Sequence, residues 1–137
     1  MFERILVALD GSKASQRALN AGLAIAKKFK SRVFFAGVVL FADDADVHPA
    51  FVAERALFAK AVKAALARAR KAGLRAEGVV LDGAAEEALV GFAREKKCGL
   101  IVLGHWSGHA SAFKHLVLGS VSKAAVDASG VDVLVVK

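Results

Sequence analysis

Short runs of wholly apolar residues, spaced by helix-length amphipathic stretches, constrain this chain more than any other feature. Ile5-Leu-Val-Ala-Leu9, Val33 to Leu40 and Leu100-Ile-Val-Leu103 contain no charged or hydrogen-bonding side chain. A strand with one solvated face alternates apolar and polar residues, so unbroken runs of this length read as strands buried on both faces. Burial on both faces needs a layer of helices above and below a parallel sheet. The segments between the runs supply those helices.

After the first run, Asp10-Gly11-Ser12 is a turn, with Ser12 as N-cap of a helix. That helix carries Ala18, Leu19, Gly22, Leu23, Ile25, Ala26 and Phe29 along one stripe. The second strand, Val33 to Leu40, gives way between Phe41 and Phe51 to a polar loop with Asp43, Asp44, Asp46, His48 and the only proline, Pro49. A long helix from about Phe51 to Ala72 follows, expected to turn Ala56, Leu57, Val62, Ala65, Leu66 and Ala69 inward and to end at Gly73. Arg75 to Leu81 is the third strand, with Asp82-Gly83 as its turn, and Glu86 to Lys97 the third helix, with Ala88, Leu89, Phe92 and Ala93 inward. The fourth strand, Leu100 to Leu103, opens into a loop from Gly104 to Leu118. A helix from Ser120 to about Ala128, a stop at Gly130 and a strand from Val131 to Val136 complete a single domain over residues 1–137.

Composition narrows the class. The 137 residues are enough to bury a real core, 56% of them are hydrophobic, and no uncharged apolar run approaches the ~18 residues of a membrane helix. The N-terminus has no signal-peptide character and the lone cysteine, Cys98, forms no intrachain disulfide, so the expected compartment is cytoplasmic. Cys98 has no histidine set beside it by sequence and reads as a packing residue. The net charge of +7 raises the question of nucleic acid, but the basic residues read as scattered toward helix ends, as at Lys27, Lys28 and Lys30. No basic cluster is interleaved with stacking aromatics, which argues against nucleic acid as a partner.

If the strands run in the order 3-2-1-4-5, the sheet reverses direction between the first and fourth strands, and ligands bind at the carboxyl edge of such a switch point. The flanking loops would be Asp10-Gly11-Ser12 and the glycine-bearing segment with Gly104, Gly108 and Gly119-Ser120. A glycine loop feeding a helix N-terminus suits a phosphate, though glycines are also placed there for steric reasons alone. Neither common phosphate fingerprint, G-x-x-x-x-G-K-[ST] or G-x-G-x-x-G, is present. Asp10 is a candidate ligand carboxylate or, equally, a cap for the helix that follows. His48, His105, His109 and His115 lack the spacing and companion ligands of a metal set, and Trp106 reads as an anchor for its loop. Ser12, Ser107, Ser120 and Ser122 fall into no Ser–His–Asp arrangement.

Ile5-Leu-Val-Ala-Leu-Asp-Gly-Ser12, Gly104 after its strand, Leu118-Gly-Ser-Val-Ser122 and Val133-Leu-Val-Val136 together resemble a universal stress protein along the whole chain. The resemblance implies an α/β, three-layer, open five-stranded parallel sheet in 3-2-1-4-5 order, Rossmann-like and of the adenine nucleotide alpha hydrolase-like kind. It implies an adenine nucleotide, ATP with Mg or AMP, as a regulatory ligand rather than a substrate. The matching positions are Asp10 near the nucleotide, Val38 for the adenine, and Gly104, Gly108, Gly119, Ser120 and Val121 for ribose and phosphates. It also implies a homodimer formed through the last strand.

The loop departs from the ATP-binding members of that family. Three residues separate Gly104 from Gly108 and ten separate Gly108 from Gly119, which makes the loop two residues longer than the pattern of Gly, two residues, Gly, nine residues, Gly-Ser/Thr. Counting back from Gly119 puts His109 at the second glycine position. Gly99 stands where an aspartate is usual, and Ser129-Gly130 where a proline is common. Hydrolysis is not expected, because no general base is set to orient water and Lys114 is the loop's one cation. A nucleotide-free signalling module, its lengthened loop docking a protein partner, is the alternative on the same fold. A metal-assisted phosphohydrolase using Asp10 and the loop histidines is a weaker one.

Overall fold

The computed structural model describes residues 2–39, 49–105 and 131–137. Within them run β1 (Arg4–Ala8), α1 (Lys13–Phe29), β2 (Arg32–Val39), α2 (Pro49–Lys71), β3 (Ala76–Asp82), α3 (Ala85–Glu95), β4 (Leu100–Gly104) and β5 (Asp132–Val136). All strand pairs are parallel and the order is β3-β2-β1-β4-β5, the order expected. The helix expected over 120–128 and the loop beyond His105 lie outside the described residues.

The apolar runs do what their lack of alternation requires. Ile5, Val7, Leu9, Val33, Phe35, Leu100 and Val102 point to one face, where Leu19, Leu23 and Ala26 of α1 and Val62, Ala65 and Ala69 of α2 cover them. Their neighbours Leu6, Ala8, Phe34, Ala36, Val38, Ile101 and Leu103 point to the other, against Leu89, Val90 and Ala93 of α3. Successive strand side chains alternate in direction, so a strand that is apolar throughout feeds two cores at once. Phe34 and Phe35 are both fully buried, one in each core.

Several expectations need correction. α2 begins at Pro49, where the sequence suggests a loop, because a helix's first turn has no use for the N–H that proline lacks. Its buried stripe is Phe58, Val62, Ala65 and Ala69, while Ala56 and Leu57 face outward, Leu57 at 56% exposure. Spacings of four, three and four select one helical face, and Leu57 falls one step, about 100°, off it. Phe29 also faces out, at 57%, and packs its ring edge-on against Phe2 at 5.5 Å. It is the last residue of α1, where the helix has run past the sheet it covers.

Each of the three described helices ends in the same way. Ser31 N–H donates to Ala26 O at 2.9 Å, Leu74 N–H to Ala69 O at 3.0 Å and Cys98 N–H to Ala93 O at 2.7 Å. These are six-to-one closures around a left-handed residue. That residue is Gly73 (φ 78°) in one case but Lys30 (φ 54°) and Lys97 (φ 57°) in the others. A lysine in that conformation costs about 1 kcal/mol or more relative to glycine, which is why sequence alone points only to Gly73. The closures return the chain to the sheet at its amino edge, where Arg32 starts β2 opposite Arg4, Ala76 starts β3 opposite Val33 and Leu100 starts β4 opposite Ile5.

Candidate functional site

At the opposite, carboxyl edge the strands stop at different heights. β1 pairs with β2 as far as Ala8 opposite Ala36, and the Leu9 N–H donates to Ala36 O at 2.9 Å. β2 continues to Val39, paired on its other side with β3, and Val39 O accepts from Gly83 N–H at 2.9 Å. Backbone polar groups on a strand alternate sides, so Ala36 and Val38 face β1 while Val39 faces β3. Beyond Leu9, however, the chain turns away. The Val38 N–H and C=O therefore face the crevice that β1 vacates, and the Val38 side chain is buried in the core beneath.

The chain turns away at Asp10-Gly11-Ser12. Asp10 is 8% exposed, and its Oδ1 accepts the Ser12 N–H at 2.9 Å. Gly11 takes φ 81°, which a side chain rarely adopts. Ser12 caps α1 as expected: its Oγ accepts the Ser15 N–H at 3.1 Å, and the Ser15 hydroxyl donates back to Ser12 O at 3.0 Å. Asp10 therefore supports the helix start through the turn, with Ser12 as the cap itself. One oxygen orders the turn, and this carboxylate stands at the mouth of the crevice. α1 has no acidic residue in its first turn, whereas α3 has Glu86 and Glu87. The positive end of the α1 dipole is left to Asp10, Ser12 and whatever enters beside them.

Across the switch point, β4 ends at Gly104, opposite Val136 of β5, and His105 N–H donates to Val136 O at 2.7 Å. A side chain on Gly104 would overlap the backbone carbonyl of Ala14 in the first turn of α1. The steric reading of this glycine is therefore correct whatever it also contacts. It lets β4 bring its carboxyl end against the α1 N-terminus, which narrows the crevice to backbone on both sides. Leu57 lies over the turn, its Cδ2 3.8 Å from where a Gly11 Cβ would stand.

The structure thus gathers Asp10, the Val38 backbone and Gly104 at one edge. Gly108, Gly119, Ser120 and Val121 lie outside the described residues, as do Trp106, Ser107, His109, Lys114, His115 and Ser122. Among the described residues no group of three metal-ligating side chains converges. Cys98 is buried at the start of β4, and burial pushes its thiol up to about 11 against the nearby cations Arg4 and Lys96. A thiol held protonated is a poor nucleophile, in keeping with a packing role. Leu57 and the closure at Lys30 are what sequence reasoning missed here. The first is a register error of one residue, and the second carries no compositional signal.

The model of the Universal stress protein family matches residues 1–137. The universal stress protein YxiE of Bacillus subtilis is 27% identical over 150 aligned positions that span all of both chains. Among solved structures, a universal stress protein family member from Burkholderia pseudomallei is 27% identical, with a TM-score of 0.75 over 98% of this chain and 96% of its own. A universal stress protein in complex with cAMP is 26% identical, with a TM-score of 0.69 over 98% of this chain and 97% of its own.

Proposed function

Because the chain belongs to the universal stress protein family, we propose that it binds an adenine nucleotide, ATP or AMP, in the crevice between the carboxyl ends of β1 and β4. The observation that carries this reading is the Val38 backbone, which lies past the end of the β1 pairing at Ala8–Ala36 and faces the crevice beside Asp10 and Gly104. A backbone donor and acceptor on one strand suit the hydrogen-bonding edge of a purine. A carboxylate nearby suits the hydroxyls of a ribose, and a glycine leaves room for the sugar to approach backbone. The relative solved with cAMP adds the ligand class.

By the resemblance, Gly108, Gly119, Ser120 and Val121 would close over the phosphates, with Mg as a companion to ATP. The protein would act in the cytoplasm as a regulator of the stress response, through occupancy rather than turnover. β5 pairs with β4 on one side only among the described residues, and Leu134 is 37% exposed. An edge strand of this kind invites pairing with a second copy, which supports the homodimer.

Native mass spectrometry of freshly purified protein tests ligand and assembly together. We expect a dimer mass with co-purified nucleotide. Calorimetry with AMP, and with ATP and magnesium, should show binding that Asp10→Asn weakens about tenfold, since a neutral amide can still accept the Ser12 N–H but loses its charge. An empty protein with no calorimetric signal at millimolar nucleotide sinks the ligand. A monomer mass sinks the dimer.

A further inference from the structure

The amino edge of the sheet carries a second concavity, remote from the crevice. Lys27, Lys30, Ser31, Gly73, Leu74 and Arg75 line a cleft of about 490 Å³ between the ends of α1 and α2. That volume falls within the ~300–1,000 Å³ of small-molecule sites. The three cations come from two stretches of sequence, Lys27 and Lys30 at the end of α1 and Arg75 after α2, which converge because right-handed crossovers bring both helix ends to this edge.

Among the described residues these cations have no other evident employment. The two ion pairs found among the described residues are Arg32–Glu77 and Arg55–Asp82, and neither involves Lys27, Lys30 or Arg75. No acidic residue lines the cleft. Nor are the lysines needed to satisfy the last carbonyls of the helices. Ala26 O is taken by Ser31 N–H, Arg70 O by Gly73 N–H and Ala69 O by Leu74 N–H. The negative ends of two helix dipoles amount to roughly one elementary charge together, against three full positive charges. The cations prevail. Arg68, Arg70 and Lys71 in the last turn of α2 and Lys28 in that of α1 reinforce the same sign.

From this we infer that the cleft between the α1 and α2 C-termini binds a compact anion bearing two or more phosphate groups. Three cations around one concavity match clustered phosphates better than a single charge, and the half-buried Leu74 gives it a partly apolar wall. Ser31 takes no part in recognition. Its hydroxyl is buried and donates to Phe2 O.

Inorganic tripolyphosphate is the probe, titrated calorimetrically into the full chain at low ionic strength. We compare Lys27→Gln/Lys30→Gln/Arg75→Gln with Arg17→Gln/Lys60→Gln/Lys63→Gln, which removes the same charge from exposed positions elsewhere. Saturable binding, weakened tenfold or more in the first variant and less than threefold in the second, supports the site. Retained binding with saturating AMP present adds that it is independent of the nucleotide crevice. Equal losses in both variants reduce the effect to net charge and overturn the proposal. So does the absence of saturable binding, or full displacement by AMP. Circular dichroism shows whether the first variant is folded. If it is not, Arg75→Gln alone, an exposed residue between α2 and β3, is read with the same criteria.

Discussion

At the carboxyl edge of the sheet α1 begins, and at the amino edge it ends. The two edges are built from the same elements with opposite materials. Around the crevice the carboxyl edge is backbone and acid: Asp10, the Val38 N–H and C=O, the Gly104 main chain, and Glu86 and Glu87 at the start of α3, while Asp82 there is paired with Arg55. The amino edge is side chain and base, with Lys27, Lys30 and Arg75 around a cleft whose backbone is already hydrogen-bonded. A net charge of +7 therefore says little about the crevice. The described cations gather most densely at the other end, where the helix dipoles favour them. The ligands proposed for the two edges would be recognised differently, at the first by where atoms are fixed and at the second by how many charges converge.

Glycine exposes the contrast most strongly. Gly104→Ala puts a methyl group into the Ala14 carbonyl, and backbone in a capped first turn cannot step aside. We expect a loss of about 3 kcal/mol, the upper end of the range for overpacking, read as a lower urea midpoint with unchanged slope. Gly22→Ala meets the Val7 side chain, with Cγ2 at 2.6 Å, and no backbone, and should cost less, about 1 kcal/mol. At the amino edge Gly73→Ala meets open space and costs about 1 kcal/mol through its φ of 78° alone. Equal losses at Gly104 and Gly73 would break the distinction between an edge limited by space and one limited by chain handedness.

Much of this was legible in the residues. Runs such as Ile5–Leu9 cannot be half-buried, so a two-sided parallel sheet follows, and Asp10-Gly11-Ser12 announces both the turn and the cap. Harder to read was anything decided by a single step of rotation, as at Leu57 and Phe58, where neighbouring apolar residues compete for one face. Pro49 hid a helix start because proline serves loops and first turns equally well. The amino-edge cleft left no local trace. Its cations read as scattered because Arg75 is distant in sequence from Lys27 and Lys30 and meets them only through the crossovers. Asp10 and Gly104 were recognisable from the switch-point argument and Val38 from the family resemblance, whereas the reason the Val38 backbone faces the crevice emerges only once β1 is seen to stop short of β2.

The underside of β4 sharpens the comparison through pH. Cys98 is 3% exposed, and burial holds its thiol at about 11 against an ordinary 9.0. The folded chain keeps a proton that the unfolded chain releases, so between pH 9 and 11 the unfolded state binds fewer protons and stability falls as pH rises. Two pH units correspond to about 2–3 kcal/mol. Denaturant titrations of the wild type and Cys98→Ala should converge over that window, the wild type losing the advantage it holds at pH 7. Parallel curves would mean that water reaches the thiol, and that the amino edge beneath β4 is wetter than its packing indicates.

The smallest effect divides stability from binding at one residue. Lys30 pays for its left-handed conformation, and Lys30→Gly removes that cost while preserving the closure from Ser31 N–H to Ala26 O. We expect the variant to gain about 0.5–1 kcal/mol in thermal or urea unfolding. The same change deletes one of the three cations of the cleft, so tripolyphosphate affinity should fall severalfold while AMP affinity at the carboxyl edge is unmoved. Lys97→Gly relieves the same conformation outside the cleft and should gain stability with no loss of either ligand. A Lys30→Gly protein that is stabler and binds tripolyphosphate undiminished would show that this lysine serves the edge's charge without serving a site. A variant that loses both properties would instead mean that the lysine side chain, and not the turn, holds the end of α1 in place.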